Sequence, residues 1–333
     1  AQVEKAIRDD PPDVLVTIDS PGFTHRLAGR LQDRDFPIVH YVAPTVWAWK
    51  PGRARKLKAL VDHLLTLLPF EPPYFEREGL PSTFVGHPAV EMIAAARDEA
   101  VRAAAGHQSF RERYDIPEGA PLLAMLPGSR RGEVAKLLPV FSATVARLAL
   151  SHRDLQVVIP TVPDVAGMVL TALTNLPVPG RVVEAPSERY QAMLAADIAL
   201  AASGTATLEL GLAETPTILA YRVNPLTAVI LRMMLKVPYA GLVNILAQEE
   251  VMPEFLQEKC RPDALATALA RLLDQPEARA QQVNACRRVG AMLGLDPDGH
   301  PAGPGPSHRA AEIVLAEAAA WKLRPHNETR SSV

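Results

Sequence analysis

Short apolar, β-branched runs alternate with helix-patterned stretches along almost the whole 333-residue chain. The runs lie at 14–18, 38–42 and 64–68, then at 122–126, 157–160, 181–184, 198–202 and 217–221. This rhythm predicts an α/β fold of βαβ units with parallel sheets, because a parallel partner strand can be reached only through a crossover. After Glu133 the apolar positions Val134, Leu137, Leu138, Phe141, Val145 and Leu148 recur at helical spacing and predict one long amphipathic helix. At about 150 residues per domain the length suggests two domains. The Ala- and charge-rich stretch 90–113, followed by Pro-Glu-Gly-Ala at 117–120, is read as the boundary. The expected division is therefore 1–113, 114–300, and a linker, last helix and polar tail over 301–333. No internal repeat is visible.

Charge removes several function classes. With 35 Lys+Arg against 37 Asp+Glu the net charge is −2, so no global field recruits nucleic acid and any electrostatic function is local. Cys260 and Cys286 form neither a disulfide framework nor a metal spacing, which fits a reducing compartment. No apolar run reaches the roughly 18 residues of a bilayer-spanning helix, and no signal peptide is recognisable. The chain opens on Ala1 with a helix tail (Val3, Ile7) running into a strand, so a fragment or processed start is expected. Its 31 prolines are the one unusual count.

Ligands of open α/β sheets bind outside the carboxyl ends of the strands, and three such ends carry chemistry. Thr17-Ile18-Asp19-Ser20-Pro21-Gly22-Phe23 places Asp19 where a general base is useful, or where a turn needs an aspartate. Leu126-Pro127-Gly128-Ser129-Arg130-Arg131-Gly132-Glu133 joins small residues, a helix start and two guanidinium groups, a natural phosphate site. A plain surface turn is the other reading. The loop lacks the lysine of a P-loop, and no G-x-G-x-x-G exists in the chain. Ala202-Ser203-Gly204-Thr205-Ala206-Thr207-Leu208-Glu209 repeats the design; Glu209 could accept both hydroxyls of a ribose, or merely complement the helix dipole.

A fourth segment runs from His40 to Lys58. Trp47 and Trp49 stand beside Lys50, Arg53, Arg55, Lys56 and Lys58 with no acid between them. Aromatic anchors with basic neighbours describe a patch for an anionic membrane or a phosphorylated acceptor; core tryptophans beside a solvated basic face describe it equally well. His87 in Gly86-His87-Pro88 and the apolar stripe 226–233 carry weaker signals, and nothing is built on them.

Taken in order, Ile18-Asp19-Ser20-Pro21, Tyr41-Val42-Ala43-Pro44-Thr45-Val46-Trp47-Ala48-Trp49, Leu68-Pro69-Phe70-Glu71, Gly86-His87-Pro88, Leu126-Pro127-Gly128-Ser129-Arg130, Ala202-Ser203-Gly204-Thr205, Tyr221-Arg222 and Asn244-Ile245-Leu246-Ala247 resemble the lipid-A-disaccharide synthases. These are inverting glycosyltransferases of the GT-B type, with two Rossmann-like domains whose parallel sheets face across a cleft. The resemblance implies a UDP-linked 2,3-diacylglucosamine as donor and 2,3-diacylglucosamine 1-phosphate as acceptor, giving a β-1,6-linked disaccharide 1-phosphate and UDP. It casts Asp19 as general base and Arg130 as a catalytic arginine, with Ser129, Ser203, Gly204, Thr205, Glu209 and Asn244 as substrate contacts. Trp47, Trp49, Arg53, Arg55, Lys56 and Lys58 become the membrane or acceptor patch. No cofactor or metal is expected, because helix-start amides and Arg130 can meet the charge that develops on UDP. Also expected are peripheral contact with the inner face of the cytoplasmic membrane and no nucleic-acid partner, with a homodimer left open.

The chain departs from the family pattern in three places. The glycine-rich Gly-Glu-x-Ser-Gly-Asp loop is missing, so the amino-terminal domain is expected to be incomplete. Gly22 stands where many relatives carry a second aspartate, which favours Asp19 as the working carboxylate. Gln248 replaces a common glycine. Two other readings compete: another UDP-sugar enzyme of the same fold, such as a peptidoglycan glycosyltransferase or a 2-epimerase, and an inactive nucleotide- or membrane-binding remnant.

Overall fold

The computed structural model describes residues 2–47, 52–104, 108–223 and 238–323. The chain forms two compact units, one comprising Ala1–Pro88 with Gly303–Val333, the other Ala89–Ala302. Trp49, Lys50 and the 226–233 stripe lie outside the described residues.

The first unit begins with α1 (Gln2–Asp9) and β1 (Leu15–Ile18), followed by α2 (Pro21–Arg30), β2 (Ile38–Tyr41), α3 (Gly52–Lys58), β3 (His63–Thr66), α4 (Pro72–Glu76) and β4 (Ser82–Phe84). Its parallel sheet has the order β1-β2-β3-β4. Side chains alternate across a strand, so Ile38 and Leu64 pack with Leu27, Leu31, Leu57 and Phe75 on one face. Val39, Leu65 and Val85 face the other way, beneath Ala310, Ile313 and Val314 of a helix from the far end of the chain, Pro306–Lys322. That helix is fastened by Glu317 on His63 Nδ1 (2.7 Å) and by Arg309 Nε donating to the Val85 carbonyl (2.8 Å). On β1, by contrast, Val16 and Ile18 are 39% and 63% exposed.

The second unit contains α5 (Ala89–Ala104), α6 (Phe110–Arg113), β5 (Leu122–Leu126), α7 (Arg131–Leu148), β6 (Gln156–Pro160), α8 (Pro163–Leu173), β7 (Gly180–Val183), α9 (Pro186–Ala195), β8 (Ile198–Ala202), α10 (Thr205–Leu212), β9 (Thr217–Tyr221), α11 (Leu242–Ala247), β10 (Glu254–Leu256), α12 (Pro262–Asp274) and α13 (Pro276–Met292). The helix Pro306–Lys322 is α14. Every residue of β5, β6 and β8 is buried, which is why these strands read as unbroken apolar runs: helices cover both faces of the sheet. The prolines also find a use here. α2, α4, α8, α9, α12, α13 and α14 each have proline in the first turn, where its fixed φ suits a helix and its missing N–H breaks no bond.

The units divide at Pro88, earlier than the boundary expected near 113. The alanine-rich stretch is an amphipathic helix that buries Val90, Ile93 and Ala94, and its Arg97 Nη2 donates to the Leu212 carbonyl and to Glu214 (both 3.0 Å). It belongs to the second core. The expected 301–333 appendage likewise contributes α14 to the first unit, because its apolar face completes that unit's sheet.

Candidate functional site

The six strands of the second unit run β10-β9-β8-β5-β6-β7, all parallel. Read outward from β5 this is the doubly wound order 3-2-1-4-5-6, whose topological switch point lies between β5 and β8. The two phosphate-competent loops predicted from sequence follow these two strands, which pair in register through Leu126 and Ala201.

After β5, Gly128 has φ +111°, and a Cβ there would lie within 2.7 Å of the Glu133 carboxyl carbon, so the turn requires glycine. Arg130 caps α7 in extended conformation without a side-chain bond to the helix. After β8, Gly204 caps α10 and again no side chain satisfies the first amides. Two helix amino termini thus present unoccupied N–H groups side by side, with Ser129, Arg130, Gly204 and Thr205 exposed around them. Helix starts of this kind can receive an anion. Arg130 and Arg131 form no ion pair among the described residues.

Three expected substrate contacts need correction. The Ser203 hydroxyl donates to the Ala240 carbonyl (3.0 Å), so its one proton is directed into the protein rather than at a phosphate. Asn244 is fully buried. Its Nδ2 donates to Met252 O (2.8 Å) and Glu254 Oε1 (2.9 Å), and its Oδ1 accepts from Met252 N (2.8 Å), which leaves nothing for a ligand. Glu209 is 6% exposed; its Oε1 accepts from Arg189 and from the Tyr190 hydroxyl (3.2 Å). Oε2 has no partner among the described residues but is itself buried, so acceptance of both ribose hydroxyls does not fit this geometry. Burial and the neighbouring Glu209 push the Tyr190 phenol up to about 12, keeping it a donor.

In the first unit Asp19 follows β1 with φ 43°, and Ser20 follows with φ 50°. Three bonds fix this left-handed turn: Asp19 N to Tyr41 O (2.9 Å), and Thr24 Oγ1 to the carbonyls of Asp19 (2.7 Å) and Ser20 (3.1 Å). Asp19 is exposed and forms no ion pair among the described residues, and its charge is felt by His40. Beneath the turn lie groups that no local sequence pattern reveals. His40, 1% exposed, has Nδ1 2.8 Å from Thr17 Oγ1, and the His25 ring meets it edge-on at 5.3 Å. Burial pushes His40 down to about 4, so it is neutral at physiological pH; His25 is lowered too, by burial and then by the Arg53 charge. His87 is likewise held near 4 by burial.

Trp47 corrects the patch. It is 8% exposed, its indole N–H donates to Glu71 Oε1 (3.2 Å), and its ring stands edge-on to Phe70 at 5.2 Å. Glu71 Oε2 also accepts the backbone N–H groups of Leu67 (3.1 Å) and Leu68 (3.0 Å), and burial pushes the carboxyl up to about 7. Trp47 is a core strut and not a headgroup anchor. Arg55, Lys56 and Lys58 are exposed on α3, with Arg55 Nε 3.0 Å from Glu78; Arg53 is half-buried. Among the described residues, no helix is long and apolar enough to cross a membrane.

Solved structures share this architecture. The S. aureus MnaA–UDP co-structure matches 99% of this chain and 82% of its own, with a TM-score of 0.63 and 16% identity. A calicheamicin glycosyltransferase matches 97% and 77%, with a TM-score of 0.55 and 18% identity. At such identities the likeness concerns the GT-B fold alone, which 2-epimerases and glycosyltransferases both use. Sequence relatives discriminate further. The lipid-A-disaccharide synthase of Rhodospirillum centenum is 48% identical over 94% of this chain and 75% of its own length, and that of Paramagnetospirillum magneticum 46% over 91% and 75%. Residues 1–296 match the family described as lipid-A-disaccharide synthetase, and with relatives of this closeness on the same scaffold the chain belongs to that family.

Proposed function

We propose that this chain joins a UDP-linked 2,3-diacylglucosamine to 2,3-diacylglucosamine 1-phosphate with inversion, yielding the β-1,6-linked disaccharide 1-phosphate and UDP. The observation that carries the reading is the pair of uncapped helix starts at the β5/β8 switch point, flanked by Arg130. Asp19 takes the proton of the acceptor 6-hydroxyl as that oxygen attacks the anomeric carbon from the face opposite UDP. The bond from that carbon to the diphosphate breaks, its electron pair stays on the β-phosphate, and the amides at the starts of α7 and α10, with Arg130 and the exposed Thr205 hydroxyl, meet the new charge. Incubation with both acyl sugars tests the reading: UDP release should require the acceptor and match disaccharide formed. Acceptor-independent epimerisation of UDP-N-acetylglucosamine, or release of UDP without disaccharide, would overturn it.

The exposed face of α3, carrying Arg55, Lys56 and Lys58, supports peripheral attachment to an anionic leaflet, since each basic residue near such a surface contributes about 1 kcal/mol. Arg55 contributes less, being paired with Glu78. Sedimentation with phosphatidylglycerol vesicles should fall sharply in a Lys56→Gln/Lys58→Gln variant and with added salt, whereas phosphatidylcholine vesicles should bind poorly throughout. Unchanged binding by the variant removes α3 from the interface.

A further inference from the structure

A polar network reaching the β8–α10 loop is centred on a residue of another strand, Glu254. Glu254 opens β10, an edge strand two places from β8. Its Oε1 accepts the N–H groups of Ala240 (3.0 Å) and Gly241 (2.8 Å) and Nδ2 of Asn244 (2.9 Å), while Oε2 lies 2.9 Å from Ala240 N. The turn held in this way passes close against β9: a Cβ on Gly241 would lie 2.4 Å from Leu219 Cδ1 and 3.3 Å from Glu254 Oε1. The Ala240 carbonyl, on the far side of the turn, receives the Ser203 hydroxyl at 3.0 Å.

We propose that Glu254 is a positioning residue for diphosphate recognition: through the Ala240–Gly241 turn it fixes Ser203, and with it the backbone of the β8–α10 loop that offers its amides to the leaving UDP. This rests on the nucleotide reading above. The physical requirement is specific. A carboxylate holds a turn firmly when several donors share its charge, and here three N–H donors converge on it. Buried Asn244 fixes the other side of the network by bonding both polar backbone atoms of Met252, so the turn cannot shift without breaking several bonds together. Ser203 is accordingly a strut between two segments and not a phosphate donor.

Glu254→Gln sets an amide NH2 among N–H donors and breaks at least one of these bonds. In the full chain, calorimetry should show about a tenfold loss of UDP affinity, with uridine affinity measured by ligand-observed NMR within about twofold. Ser203→Ala, which removes the strut at its other end, should give the same pattern. In the double variant the loss should be no greater than in the worse single variant, because both act through one connection. Additive losses, a parallel fall in uridine affinity, or unchanged UDP binding by Glu254→Gln would each overturn the proposal. Failure of the wild-type chain to bind UDP at all would instead overturn the nucleotide reading.

Discussion

Asp19→Asn should lower disaccharide formation by about a thousandfold, within the range attributed to general-base catalysis, and leave UDP affinity within about twofold. The substitution is nearly isosteric, and asparagine tolerates the left-handed φ of 43° that Asp19 adopts. The bonds that set the turn use the Asp19 backbone and the Thr24 side chain, not the carboxylate, so the change removes the proton acceptor and leaves its support in place. The residual rate measures what leaving-group stabilisation supplies without a base. Turnover within about tenfold of wild type would transfer the role to another group, and neutral His40 and His25 beneath the turn would be next to test.

How much of this was legible in the sequence depended on whether the controlling contacts were local. Strands β5, β8 and β9 were legible because burial on both faces writes a continuous apolar run into each. β4 and β10, three residues long and half-buried throughout, leave no pattern to find, and β10 carries Glu254. The two strand–loop–helix junctions, β5–α7 and β8–α10, were visible because a helix start after a strand is a local event. His40 and Thr17 were not: they meet because Thr17 and His40 are register partners on adjacent strands, an adjacency that arises only when the sheet forms. Trp47 failed for the same reason. A tryptophan beside bases reads as a surface anchor until Glu71 folds back onto its indole, and Asn244 reads as a ligand contact until Met252 and Glu254 engage all its donors.

Arg130→Ala should weaken UDP binding by about 10- to 100-fold, the equivalent of one or two charge-assisted hydrogen bonds, while Arg131→Ala should change it by less than about threefold. Both side chains are exposed, so exposure does not choose between them. Position does: Arg130 is the N-cap residue of α7, at the loop that follows β5, whereas Arg131 already lies inside the helix. Arg130→Lys should recover part of the loss, because lysine restores the charge but not the planar fork that grips two phosphate oxygens. That ordering, wild type above lysine above alanine, should compress in high salt as counterions screen the lysine contact most. Equal losses at positions 130 and 131 would mean that the loop acts only through its summed charge, and the assignment of a phosphate clamp to Arg130 would fail.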